Sequence, residues 1–232
     1  MQQIDLTRRL SAEFTGSAFL LATIIGSGIM AERLAGGNTA LALLGNTLAT
    51  CAMLAVLIMI FGPISGAHFN PAVTLSFRIQ RTISTTHAVK YSLAQISGAL
   101  VGMLAAHFMF ELPLLQASQH VRSGPAQFGS EVIATFGLLV TIIGCVRARP
   151  AAVPYAVALY ITAAYWYTAS TSFANPAVTI ARAMTDTFSG IRPADAPAFI
   201  LAQLSGAVLA ILLCRWLWPA AVSAPAETPP SP

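Results

Sequence analysis

Charge is what this sequence has least of. Twelve basic and eight acidic residues among 232 make up 9% of the chain, against about 25% in ordinary soluble domains. Twenty charges cannot coat a globule of 24.3 kDa, and 56% of the residues are apolar with a mean hydropathy of +0.72. Water is thereby excluded as the main solvent, and with it a soluble catalytic domain and intrinsic disorder. Basic residues never form a run, so nucleic acid is excluded as a partner, and the formal charge of +4 is assigned to topological bias and contact with lipid headgroups. Cysteine is scarce as well. Cys51, Cys145 and Cys214 lie far apart inside apolar stretches, without CxxC or His spacing, so they read as small packing residues rather than metal ligands. No metal and no cofactor is expected. No segment brings a nucleophile, a base and an orienting residue together, which argues against an enzyme.

What the chain does have is apolar length. Runs able to cross about 30 Å of hydrocarbon at 1.5 Å per residue lie near residues 11–31, 39–61, 88–110, 129–147, 151–170 and 196–218. The predicted class is therefore an all-α membrane protein with six transmembrane helices. The run after the Arg8–Arg9 pair contains Glu13 and exceeds a signal-peptide core, so it is expected to be kept as the first span. Two further apolar pieces near 70–80 and 175–185 are only half a bilayer long. Each begins Asn-Pro after a Gly-, Ser- or Thr-rich approach, with Pro71 and Pro176 where proline suits a first helical turn. They are predicted to be re-entrant half-helices.

Counting Lys and Arg over alternate connections gives eight on the side of both termini and four on the other. This predicts cytoplasmic termini and a multi-pass protein of the inner (plasma) membrane. Trp216 and Trp218 close the last span as interfacial anchors, and the proline-rich residues 219–232 are expected to be a disordered tail.

Three markers occur twice in the same order. Glu13–Gly26 matches Glu131–Gly144 at seven of fourteen positions, NPAVT at Asn70 recurs at Asn175, and AQISGAL from Ala94 is echoed by AQLSGAV from Ala202. The chain thus reads as one channel domain, residues 1–218, made of two repeats of about 8–110 and 127–218. An odd number of spans per repeat inverts the second copy, so the half-helices enter from opposite sides and their N-termini meet near the midplane. Asn at a helix start is an ordinary cap. Two such caps at the tips of inverted half-helices instead point to a centre where Asn70 and Asn175 present amide donors to a permeant oxygen while positive helix ends reject cations.

Paired boxes Asn70-Pro71-Ala72 and Asn175-Pro176-Ala177, with a Glu heading each repeat and AQxSGA in the third and sixth spans, resemble the aquaporin and aquaglyceroporin family over about residues 8–218. The resemblance implies an aquaporin-like fold, one pore per protomer and homotetramers in membrane lipid. It also implies that Glu13 and Glu131 accept backbone N–H bonds from the re-entrant loops; a proton relay is the alternative. His68 is expected to line the pore, whereas His87, His107 and His120 are expected to serve packing or interfaces.

Most family members carry Arg directly after the second box, where this chain has Val178. Carrying over the other filter positions by spacing gives Thr50, Ala163 and Ser172, a selectivity filter with neither cation nor aromatic ring and therefore wide. Arg182, one turn further, either substitutes for the missing guanidinium or reaches the interface. This set resembles a bacterial aquaporin subgroup linked to arsenic resistance, which implies passage of small neutral solutes: water, glycerol-like polyols and arsenous acid. The competing readings are a secondary transporter with a midplane site and a scaffolding protein with a closed pore.

Overall fold

The computed structural model describes residues 4–218. Those residues form eight α-helices and no strand: α1 (Leu6–Leu34), α2 (Thr39–Ser65), α3 (Pro71–Ile79), α4 (Thr85–Met109), α5 (Pro125–Ala148), α6 (Val153–Tyr167), α7 (Pro176–Arg182) and α8 (Ala196–Leu217). Side-chain caps set several starts. Asp5 accepts from the Arg8 amide at 2.9 Å, Asn38 from Leu41 at 3.1 Å and Ser84 from His87 at 3.2 Å. Gly66, with φ of 90°, ends α2 in a left-handed cap, as a residue without Cβ allows.

Five helices of 22–29 residues are long and apolar enough to cross a membrane. The sixth expected span is shorter than residues 151–170. A 3-10 turn, Pro150–Ala152, leads into the 15-residue α6, which stops at Thr168. Turn and helix together still reach roughly 28 Å. Helices α3 and α7, of nine and seven residues, add up to roughly 24 Å. Joined at their N-termini, they supply a seventh crossing from two half-length pieces.

Packing follows the repeat. Helix α1 lies between α2 and α4, α5 lies between α6 and α8, and α2 meets α6 across the two halves. Close approach rests on small residues. A Cβ on Gly98 would sit 2.2 Å from the Phe14 carbonyl oxygen, and one on Gly206 would sit 2.4 Å from that of Val132. The distribution of polarity reverses that of a soluble protein. Phe108, Leu159, Leu201 and Leu212 face outward, while Glu13, Gln95, Glu131 and Gln203 are fully buried. Residues 219–232, expected to be a disordered tail, lie outside the described residues.

Candidate functional site

The two half-helices are held by matching carboxylate clamps. In the first half, Glu13 Oε1 accepts from Ser65 Oγ at 2.6 Å and from the His68 amide at 3.0 Å, and Oε2 from the Phe69 amide at 2.7 Å and Gln95 Nε2 at 2.8 Å. In the second, Glu131 accepts from the Phe173 and Ala174 amides, both at 2.9 Å, and from Gln203 Nε2 at 2.6 Å. Each glutamine also donates to the threonine four residues after the box asparagine, Thr74 or Thr179, at 2.9 Å. The two carboxylates therefore accept loop backbone donors, as the resemblance implies.

The loops so gripped share an unusual backbone. Gly66, Ala67 and Phe69 have positive φ, and so do Thr171, Ser172 and Ala174, each 105 residues later. Non-glycine residues at such angles cost on the order of 1–3 kcal/mol each and persist only where surrounding bonds over-determine them. The clamps supply those bonds.

At the centre the halves cross. Asn70 Nδ2 donates to the Ala174 carbonyl at 2.7 Å, and Asn175 Nδ2 donates to the Phe69 carbonyl at 2.8 Å. Each asparagine Oδ1 caps its own half-helix, accepting from Ala72 and Val73 or from Ala177 and Val178. An amide carries two N–H donors. One of each pair is spent on the crossing, and the other remains for a guest in the cavity that both asparagines line. Pro71 and Pro176 occupy first helical positions, where no donor is lost.

That cavity, of about 110 Å³, has room for several waters at about 30 Å³ each. Thr50, Ser172 and Val178 line it together with His68 and Arg182. Ala163 does not. It is exposed on the outer side of α6, and the tyrosine two residues later, Tyr165, is buried and lines the cavity instead. The helix shows why: Val153, Val157, Ile161 and Tyr165 all line the cavity at intervals of four, one face of a 3.6-residue period. The cavity wall thus contains an aromatic ring, Tyr165, and a cation, Arg182, neither of which is among the four expected filter positions.

Arg182 does not snorkel to the interface. Its side chain is 2% exposed. Nε donates to the Ser189 carbonyl, the guanidinium lies 3.4 Å over the Phe173 ring, and Nη1 has no hydrogen-bond partner among the described residues. A second arginine, Arg122, stands 5.1 Å from the same ring, and its Nη1 donates to the Ser170 carbonyl at 3.2 Å. Sequence reasoning missed Arg122 because it lies on the long connection before α5, with no motif around it.

At the other end of the cavity, His68 stacks on Phe77 at 4.5 Å, and its Nδ1 lies 3.0 Å from Thr74 Oγ1. The same hydroxyl accepts from Gln95 Nε2 at 2.9 Å, which joins His68 to the first clamp. His107, expected to serve packing or an interface, is fully buried, with Nδ1 2.9 Å from the Leu114 carbonyl and Nε2 2.6 Å from Thr185 Oγ1. It ties the connection after α4 to the segment after α7. No His, Cys, Asp or Glu cluster among the described residues is arranged to hold a metal.

A helical bundle whose two half-helices meet at crossed asparagines in a lined cavity defines a membrane channel rather than an enzyme. The chain belongs to the major intrinsic protein family, whose family model matches residues 1–153 and 145–229. It is 55% identical to Aquaglyceroporin AqpS of Rhizobium meliloti over 217 residues, 94% of this chain and 93% of that protein. It is 38% identical to the probable aquaporin NIP5-1 of Arabidopsis thaliana over 109 residues, 46% of this chain and 34% of that one. Among solved structures, the aquaglyceroporin from Plasmodium falciparum superposes with a TM-score of 0.67 at 22% identity, covering 90% of this chain and 96% of that one. That likeness establishes the fold alone, an aquaporin-like architecture; membership of a membrane-channel family, with five helices long and apolar enough to cross a membrane, makes the protein integral to the membrane.

Proposed function

We propose that the chain is a passive channel for water and for small neutral polyhydroxyl solutes, glycerol and arsenous acid among them. The observation that carries this reading is the crossing of Asn70 and Asn175 in the cavity wall, each with one amide donor unspent. A neutral oxygen gives up water there and regains a hydrogen bond. A cation meets donors and a nearby guanidinium, with no ring of acceptors to replace its hydration. The selectivity filter in this reading is Thr50, Tyr165, Ser172, Val178 and Arg182, with the charge one helical turn beyond its usual place. The similarity to a protein named as an aquaglyceroporin supports solutes larger than water.

The two repeats form one channel domain, both termini face the cytoplasm of a plasma membrane, and the channel works as a homotetramer, as members of this family are oligomers. Stopped-flow light scattering on proteoliposomes, comparing water, glycerol and trivalent arsenic, tests the reading. Non-saturating flux indifferent to ion gradients is expected. Saturable, ion-coupled uptake would establish the carrier reading, and tetramers without flux the scaffold.

A further inference from the structure

Charge is divided unevenly between the two faces of the bundle. The face on which α3, α5 and α8 end carries eight of the twelve basic residues and, of the described acids, Asp5 alone. The buried clamp residues Glu13 and Glu131 aside, the opposite half carries four arginines and the four acids Glu32, Glu111, Asp186 and Asp195. On the basic face a groove of about 340 Å³ opens where α5 and α8 end, with Arg147, Arg215 and Gln80 among its lining residues. Beneath it Ile143 and Ile211 are buried, and the half-buried Trp218 stands at its edge. The Trp218 ring rests against α5 at Gly144, where an added Cβ would stand 3.3 Å from the indole.

Arg215 Nη2 donates to the Ile79 carbonyl at 2.9 Å, whereas Arg147 is exposed and has no hydrogen-bond or ion-pair partner among the described residues. No carboxylate lines the groove. Arginine in a last helical turn complements the helix dipole, which accounts for one cation per helix. It does not account for two guanidinium groups facing one groove without a carboxylate at the level where the helices leave the membrane.

We propose that this groove binds an anionic phospholipid, its phosphate taken by Arg147 and Arg215 and its acyl chains entering the membrane past the half-buried Trp218. The site does not depend on which solute the channel passes. The groove opens at the ends of two helices long and apolar enough to cross a membrane, where the phosphate at hand is a lipid headgroup, so the occupant is the lipid.

The test uses the purified full chain in detergent, with native mass spectrometry and unfolding temperature read against added phosphatidylglycerol, phosphatidylethanolamine and inorganic phosphate. Phosphatidylglycerol should be retained and stabilising, the zwitterionic lipid much less so, and inorganic phosphate without effect. The preference should fall roughly fivefold for each arginine removed in Arg147→Gln and Arg215→Gln. Lys90→Gln, on the same face outside the groove, should leave it unchanged. Arg147→Gln breaks no hydrogen bond and so keeps the test valid if Arg215→Gln misfolds. Equal retention of the two lipids, an equal loss in Lys90→Gln, or equal protection by inorganic phosphate would each overturn the proposal.

Discussion

The two halves of this channel share one clamp and differ in what they set against the cavity. Shifted by 105 residues, Asn70 becomes Asn175, Thr74 becomes Thr179 and the three left-handed loop positions coincide. The same shift turns His68 into Phe173 and Phe77 into Arg182. One mouth therefore has an imidazole stacked on a phenyl ring, and the other a guanidinium stacked on a phenyl ring, with the aromatic partner exchanged between loop and half-helix. Val73 likewise becomes Val178, and both line the cavity. The half-helix scaffold is thus indifferent to the side chains placed beyond the box. In the proposed reading, the halves differ at His68 and Phe173 and at Phe77 and Arg182, while Val73 and Val178 keep the same side chain.

The clamps give the sharpest test of the shared part. Glu13→Ala leaves four donors without a partner and Glu131→Ala leaves three, at about 1–3 kcal/mol for each buried group. Both variants should lose monodispersity and unfold at much lower temperature, Glu13→Ala more so. If Glu131→Gln stays stable yet abolishes proton-coupled uptake, the carboxylate is a relay and the clamp reading fails.

A second difference lies in helix packing. Gly98 and Gly206 correspond and both press on a carbonyl, but Gly102 corresponds to Ala210. A Cβ at Gly102 would stand 2.1 Å from the Ala18 carbonyl oxygen, so α1 and α4 approach more closely than their counterparts. Gly102→Ala should cost about 1–3 kcal/mol, as overpacking does. Ala210→Gly, which clashes with nothing, should cost about 0.5–1 kcal/mol through helix propensity. Equal losses in reversible unfolding would mean that the two helix pairs are equally spaced.

These pairings also show what the sequence made legible. The boxes, the two Glu residues and the glutamines repeat as identical letters, so their roles could be read before any geometry. Ala163 was misplaced because spacing from the box asparagine presumes a fixed path for the connection between α6 and α7. The helix ends at Tyr167, earlier than an apolar run suggests, and the connection turns over Thr168–Thr171 and takes left-handed angles at Thr171, Ser172 and Ala174. The four-residue stripe from Val153 to Tyr165 was present in the sequence and would have corrected it. The partners of His107 and Arg122 were not legible in this way. They are contacts between groups 68–78 residues apart in the chain, and no periodic pattern encodes them.

The diverged residues are probed by flux. With Arg182 in the cavity wall, Arg182→Ala removes a charge and an unspent donor, and should raise the glycerol-to-water permeability ratio roughly two- to tenfold, the worth of one hydrogen bond. Val178→Arg adds a second guanidinium beside the first and should lower that ratio. If Arg182→Ala leaves it unchanged while Val178→Arg cuts glycerol strongly, the narrow point lies at Val178 and Arg182 is structural.

The smallest expected effect separates the two halves by pH. Helix α4 starts at Ser84, a neutral cap, whereas α8 starts at Asp195, whose carboxylate accepts from Arg192 Nη2 at 2.8 Å and from the Arg122 amide at 2.9 Å. The Arg192 hydrogen bond, more than the others, holds the Asp195 pKa below its ordinary value of 3.8. A carboxylate depressed in the folded state adds stability above its unfolded pKa and loses it as pH falls through the folded one. The contribution is therefore complete at neutral pH and disappears only below about pH 4. Asp195→Asn should lower the unfolding temperature slightly at pH 7, and the gap to the parent should close on acidification into that window. Ser84→Ala should show a gap that does not change with pH, since a hydroxyl cap does not titrate there. A gap for Asp195→Asn that persists unchanged to pH 3 would mean that the carboxylate acts through shape rather than charge.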